Sequence, residues 1–265
     1  MDLHDRVAVV TGAAVGTGRA IARRLAAEGA VVVLADADVE QGRRTQALVA
    51  ADGGRAELVA ADLRRPDGVA ATVEAADPFG GVDVLVNNAG GGGHVPPHFP
   101  EATAAEWGGL LDLNLRGPML ATQLAIPRMR RRGGGVVVNV ASTAGLGHHG
   151  YASPEYAAAK AGLIRFTSSL TGLPNRVGVR VTCVVPDRVA TERAQRELAA
   201  MTPEQRAAAP RPIPLERLTS AVVRLIRDDG LDGTVLVLRP DRPDEVLADA
   251  PPDRGSDAGH HPGRP

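Results

Sequence analysis

The chain has 265 residues, a net charge of -1, 44% hydrophobic residues and only 2% aromatics. That length suits one α/β domain whose core is built from Val, Leu, Ile and Ala rather than from rings. The near-neutral balance argues against nucleic acid or an anionic membrane as a partner, and no apolar stretch approaches the 18 or so residues of a membrane span.

Short β-branched runs alternate with Ala-, Leu- and Arg-rich helical stretches. VAVVT at 7–11 predicts the first strand, followed by a helix over 17–28, VVVLAD at 31–36 and a helix over 39–51. AELVAAD at 56–62, a helix over 67–77, VDVLVNN at 82–88, one long helix over 103–131 and VVVNVAS at 136–142 come next. A helix over 154–171, VRVTCVV at 179–185, a helix over 216–228 and TVLVL at 234–238 complete the alternation. Continuously apolar strands belong to a parallel sheet covered on both faces, so the pattern predicts a single α/β domain, a doubly wound seven-stranded parallel sheet over residues 1–239. Residues 240–265 are rich in Pro, Gly and Asp, and the last fifteen or so are expected to be disordered. The only cysteine, Cys183, lies in an apolar run and reads as a buried, inert thiol. No signal-peptide pattern opens the chain, which makes a cytoplasmic protein the expectation.

The first strand ends at Thr11 and Gly12, and Gly16 and Gly18 follow before a helix begins. Glycines there permit a tight turn and close approach of a pyrophosphate, whose charge the following helix N-terminus meets. Asp36 ends the second strand, where a carboxylate accepts from both ribose hydroxyls of NAD and repels the 2'-phosphate of NADP. Val15 precedes Gly16 and Ala37 follows Asp36, so no neighbouring cation in sequence offers that phosphate a contact.

Only one of the thirty Lys and Arg residues is a lysine, Lys160, and Tyr156 stands four positions before it. On a helix, residues i and i+4 share a face with Cβ atoms about 6 Å apart, which sets an ammonium beside a phenol. Lys is a compact point charge able to reach into a narrow site, a task for which the broad guanidinium of Arg is unsuited.

TGAAVGTG at 11–18, Asp62-Leu63, Asn87-Asn88-Ala89-Gly90, Asn114, Ser142 and Tyr156-x3-Lys160 together resemble the short-chain dehydrogenases/reductases over roughly residues 5–238. The resemblance implies hydride exchange between a secondary alcohol or ketone and a nicotinamide, with Tyr156 moving the hydroxyl proton. It implies that Asp62 and the Leu63 backbone contact adenine, that Asn87, Asn88, Ala89 and Gly90 brace the sheet and line the ribose side, and that Val189 and Thr191, after Pro186, hold the carboxamide. Ser142 would hold the substrate oxygen, Asn114 would position a relay water, and Lys160 would bond the ribose. A free phenol titrates near 10; a cation about 4 Å away at an effective dielectric near 20 contributes about 4 kcal/mol, enough to bring it near 7.

The family also implies a homotetramer, with a dimer left open because Arg239-Pro240-Asp241 replaces the usual Asp-Gly-Gly ending. Asp187 stands where these enzymes usually carry Gly; its carboxylate either faces solvent or stabilises the oxidised ring. The segment at about 190–214 reads as one or two short helices forming a lid over the substrate. His94, His98 and His148-His149 lack the carboxylate or thiol that would complete a tetrahedral metal set, so no metal is expected and the cleft rim is their assigned place. Tyr151 and Trp107 read as packing residues, Tyr151 lying near enough to the active face to touch substrate. The alternative from another class is a catalytically idle dinucleotide sensor on the same fold.

Overall fold

The computed structural model describes residues 1–147 and 150–247. Its strands are β1 (Val7–Thr11), β2 (Val31–Asp36), β3 (Arg55–Ala60), β4 (Val84–Asn87), β5 (Gly135–Val140), β6 (Val179–Pro186), β7 (Val235–Leu238) and β8 (Glu245–Val246). Between them run α1 (Gly16–Ala27), α2 (Val39–Ala51), α3 (Pro66–Glu74), α4 (Ala104–Leu111), α5 (Gly117–Arg131), α6 (Pro154–Ser168), α7 (Pro174–Val177), α8 (Glu192–Ala199), α9 (Pro203–Ala208) and α10 (Leu215–Arg227).

The sheet order is β3-β2-β1-β4-β5-β6-β7-β8. The first seven strands pair in parallel, for example Val9 with Val33 and Leu85. The chain turns from one half to the other between β1 and β4, and such a switch leaves a crevice at the carboxyl ends of the strands. β1, β4, β5 and β6 are buried at every position, as their unbroken Val-rich runs require. The Arg55–Ala60 strand departs from that pattern: as an edge strand it exposes Arg55, Glu57 and Ala60.

Three corrections follow. The sheet has an eighth strand, because Glu245 and Val246 pair antiparallel with β7 at Val237 and Leu236. Arg217 holds that segment by donating to Asp244 Oδ1 at 2.7 Å and to the Arg239 carbonyl at 2.7 Å, so residues 240–247 are ordered. The expected disorder of the last fifteen residues lies outside the described residues. Last, the long helix over 103–131 is interrupted by a π turn at Asp112–Arg116, where one extra residue per turn shifts every later side chain around the axis.

Two buried charges anchor the end of the sheet opposite the crevice. Asp83 is fully buried and accepts from the Val7 amide at 2.8 Å, Arg6 at 3.2 Å and Arg132 at 2.8 Å. Arg180 caps the C-terminus of α10, donating to the carbonyls of Leu225, Ile226 and Asp228.

Candidate active site

The turn after β1 builds the first wall. Gly12 and Gly16 have φ of 64° and 55°, a region that side chains disfavour. A Cβ on Gly12 would fall 2.8 Å from Ala89 Cα, so the turn can lie against the end of β4 only without one. Thr11 Oγ1 accepts from the amides of Asn88 and Ala89 at 3.0 and 2.9 Å, while Asn88 Nδ2 donates to the Thr11 carbonyl at 2.9 Å. Thr17, which the motif did not single out, donates to Asn88 Oδ1 at 2.8 Å. The first turn of α1 holds no acidic residue and Val15 supplies no capping side chain, so its amides remain available to an anion.

That turn opens onto a cavity of about 870 Å³ bordered by Gly12, Gly16, Asp36, Asp62, Leu63 and Gly90. Such a volume lies in the range of cofactor pockets, about 300–1,000 Å³. Asp36 also borders it, its carboxylate fixed by the amides of Ala14 at 2.9 Å and Asp38 at 3.0 Å. Asp62 is held by Arg64, whose guanidinium beside it draws its carboxyl below the usual range. Arg44, Arg64 and Arg196 also border the cavity, so cations not adjacent to Asp36 in sequence share it through the fold.

A second cavity of about 420 Å³ adjoins the first, sharing Thr17, Asn88, Gly90, Thr191 and Arg193 with it. Ser142, Tyr156, Lys160, Pro186, Asp187 and Val189 line it. Ser142 follows β5; its hydroxyl accepts from the Ala144 amide at 3.2 Å and acts against the rise of the Tyr156 phenol. Tyr156 and Lys160 lie one turn apart on α6, with the ammonium 5.7 Å from the phenol ring centre. Asn114 is fully buried in the π turn; its side chain accepts from the Gly91 amide and donates to the Gly91 carbonyl, both at 2.9 Å. Gly90 makes this convergence sterically feasible, because a Cβ there would fall 2.7 Å from Asn114 Oδ1 and 2.9 Å from Lys160 Nζ.

The anticipated lowering of the phenol by the ammonium is not what the fold shows. Burial pushes the Tyr156 phenol up, and Arg193, not Lys160, is the cation that acts against the rise. Lys160 instead donates to the Val140 carbonyl at 3.1 Å, and burial lowers its pKa to about 8. The i+4 spacing fixes where two stems start, not where two heads finish.

A sequence model of the short chain dehydrogenase family matches residues 6–202. The chain belongs to the short-chain dehydrogenases. Cis-4-hydroxycyclohexanecarboxylate dehydrogenase of Sinomonas cyclohexanicum is 41% identical over 187 residues, 69% of this chain and 72% of that protein. Levodione reductase of Leifsonia aquatica is 36% identical over 205 residues, 76% of this chain and 75% of its own length. A crystal structure of levodione reductase superposes with a TM-score of 0.79 at 32% identity, covering 89% of this chain and 97% of that one. Membership makes the chain an oxidoreductase of the alcohol/ketone type with a nicotinamide cofactor. No helix among the described residues is long and apolar enough to cross a membrane.

Other sequence expectations sort unevenly. The 190–214 segment forms two short helices, α8 and α9, separated by a turn. Val189 pairs with Ile213 as an isolated bridge, and Thr191 caps α8 by accepting from the Ala194 amide at 3.2 Å. Asp187 Oδ1 accepts from the Arg188 amide at 2.8 Å. Tyr151 stacks on Tyr156 with ring centres 6.2 Å apart, which puts it in the cleft. Trp107 is 37% exposed on α4, so a core-packing role does not hold for it. Cys183 is buried with its thiol pushed up to about 12, the inert state expected of it. Among the four histidines, His94 borders the second cavity, whereas His98 is turned away to bond Glu155 at 2.8 Å. His148 and His149 lie outside the described residues. Glu155 was missed: this buried carboxylate also accepts from Ser153 at 2.9 Å, tying the 94–99 loop to the start of α6. Its only signal was a position next to Tyr156.

Proposed function

We propose that the chain is an NAD-dependent dehydrogenase/reductase that interconverts a secondary alcohol and a ketone, with Tyr156 as the general acid/base. The observation carrying this reading is the meeting of Ser142, Tyr156 and Lys160 in a cleft that adjoins a glycine-lined cavity bordered by Asp36. Thr11, Gly12, Gly16 and Gly18 would cradle the pyrophosphate; Asp62, Leu63, Asn88, Ala89 and Gly90 would border adenine and ribose; and Pro186, Val189 and Thr191 would face the carboxamide. Asp36 presents two oxygens to a ribose diol and a negative charge to a 2'-phosphate, which favours NAD. Arg64 is engaged with Asp62 through bonds of 2.7 to 3.1 Å, whereas Arg44 and Arg196 also border the cavity and would compete for that phosphate.

The nicotinamide, when bound, supplies the hydride chemistry. Ser142 and Tyr156 line the same cleft, and a substrate oxygen within reach of both hydroxyls would accept from both. With its phenol raised above 10, Tyr156 carries its proton at neutral pH, the form needed to protonate a developing alkoxide during ketone reduction. Alcohol oxidation needs the phenolate. Arg193 is the cation that favours that phenolate, while Lys160, titrating at about 8, keeps its ammonium at neutral pH and would bond the cofactor ribose. Asn114 holds Gly91 and with it the loop that forms the roof of the cleft. Residues 190–214 would close over the substrate as a lid.

The test mixes purified protein with NAD or NADP and a panel of secondary alcohols and ketones, following the near-ultraviolet absorbance of reduced nicotinamide. Turnover with NAD preferred over NADP is the expected result. Tight dinucleotide binding with no turnover across the panel would favour the idle sensor.

A further inference from the structure

We propose that the substrate carries a carboxylate in addition to its alcohol or ketone, and that Arg193 on α8 receives it. This inference rests on the oxidoreductase reading above and narrows its substrate class.

Arg193 lies in the first turn of α8, where the helix dipole disfavours a cation, and its side chain is 57% exposed. A residue placed against its local preference calls for another reason to be there. Its neighbours leave the charge largely uncompensated. Glu197, one turn on, is 3.6 Å from the Arg193 Nε but 2.7 Å from Arg188, so its carboxylate is mainly engaged by the second arginine. On the other side the Arg193 Nη1 lies 3.4 and 3.3 Å from the two ring nitrogens of His94. Burial and the guanidinium itself lower the His94 pKa, so the imidazole is neutral and offers no countercharge. Nη2 has no hydrogen-bond partner among the described residues.

The guanidinium borders the cleft that holds Tyr156, and its field reaches the phenol, whose rise it opposes. Asp187, the other carboxylate facing this cleft, accepts the Arg188 amide. A planar fork with free N–H groups is the natural partner of the two oxygens of a carboxylate. Gly91, Gly93, Ala144 and Tyr151 line the same cleft as Arg193 and Tyr156, which suits a small carbon skeleton.

The experiment compares 4-hydroxypentanoate with 2-pentanol, and 3-hydroxybutyrate with 2-butanol, as substrates of the wild type, Arg193→Leu and Arg193→Lys. In the wild type kcat/KM for the carboxylated member is expected to exceed that of its neutral partner by about tenfold or more, as a charge-assisted pair implies. Arg193→Leu should collapse that ratio through KM, and Arg193→Lys should retain part of it. Saturation-transfer NMR on the unloaded protein provides a readout independent of turnover: 4-oxopentanoate should bind in preference to 2-pentanone, and the preference should vanish in Arg193→Leu. Equal treatment of both members by the wild type, a ratio indifferent to Arg193→Leu, or an effect confined to the KM of the dinucleotide would each overturn the proposal. The last outcome would place Arg193 on the cofactor phosphates instead. Preferential 4-oxopentanoate binding without any turnover would sink the oxidoreductase reading while leaving the anion site standing.

Discussion

Replacing Lys160 by Met should abolish turnover and change the pH dependence of stability. The ammonium is 3% exposed, and its pKa falls from the ordinary 10.5 to about 8 because burial penalises the charged form. That drop corresponds to roughly 3 kcal/mol withheld from folding whenever the lysine is protonated in both states. Below about pH 8 the whole penalty applies. Between about 8 and 10.5 the unfolded chain keeps the proton while the folded chain has released it, so stability rises with pH across that window; above 10.5 the penalty is gone.

Met is similar in length and has no charge, so its variant lacks this pH-dependent contribution. It also leaves the Val140 carbonyl without its 3.1 Å donor, at a cost of about 1–3 kcal/mol that does not vary with pH. The net effect at pH 7 therefore ranges from neutral to about 2 kcal/mol stabilising. Urea unfolding followed by fluorescence of the single tryptophan, Trp107, at pH 7 and 9.5 measures it. The wild type should gain roughly 2 kcal/mol relative to the variant between those two values. Parallel stability profiles for the two proteins would refute the reasoning, since they would mean that the lysine is solvated in the fold.

Four further outcomes are expected. Lys160→Arg keeps the charge but cannot fit beside Gly90, where even an added Cβ would lie 2.9 Å from Nζ, so kcat/KM should fall about a hundredfold or more in the alcohol oxidation assay. Asp36→Ala should lower the ratio of kcat/KM with NAD to that with NADP by about ten- to a hundredfold, the worth of hydrogen bonds to a charged group. Asp83→Ala strips the partner from Arg6 and Arg132 and orphans the Val7 amide, and should cost about 3 kcal/mol in urea unfolding. Alcohol oxidation should accelerate as pH rises from neutral, and ketone reduction should not, because the raised Tyr156 phenol must lose its proton only in the first direction.

Six of the seven parallel strands were legible because each is a run of mostly buried, Val-rich residues, a pattern that survives without knowledge of partners; the half-exposed β3 is the exception. β8 left no such trace: two exposed residues, Glu245 and Val246, pair only because Arg217 draws Asp244 against the edge of the sheet. The π turn at Asp112–Arg116 was equally hidden, since one inserted residue alters a 3.6-residue period by less than composition noise. Yet that insertion decides where Asn114 points. Asp83, Arg180 and Glu155 carry no signal of a partner in the sequence, and only the folded chain shows that each is buried among partners contributed by other elements.

Within the site, identity was more legible than state. The residues that converge on the cleft could be named from short motifs, several of which, such as Thr11-Gly12, Asn87-Asn88-Ala89-Gly90 and Ser142, sit at the ends of parallel strands that all finish on the same side of the sheet. Their protonation could not, because it depends on burial and on groups brought in from elsewhere. Lys160 meets Val140 from β5 rather than the phenol, and the charge felt by Tyr156 comes from Arg193 on α8, thirty-seven positions further along the chain. A cation on α8 acting on the proposed acid/base would couple substrate capture to catalysis: an anion seated on Arg193 would neutralise the field that opposes the rise of the phenol, pushing Tyr156 further toward its proton-bearing form. The same contact that selects the substrate would then favour ketone reduction over alcohol oxidation at neutral pH.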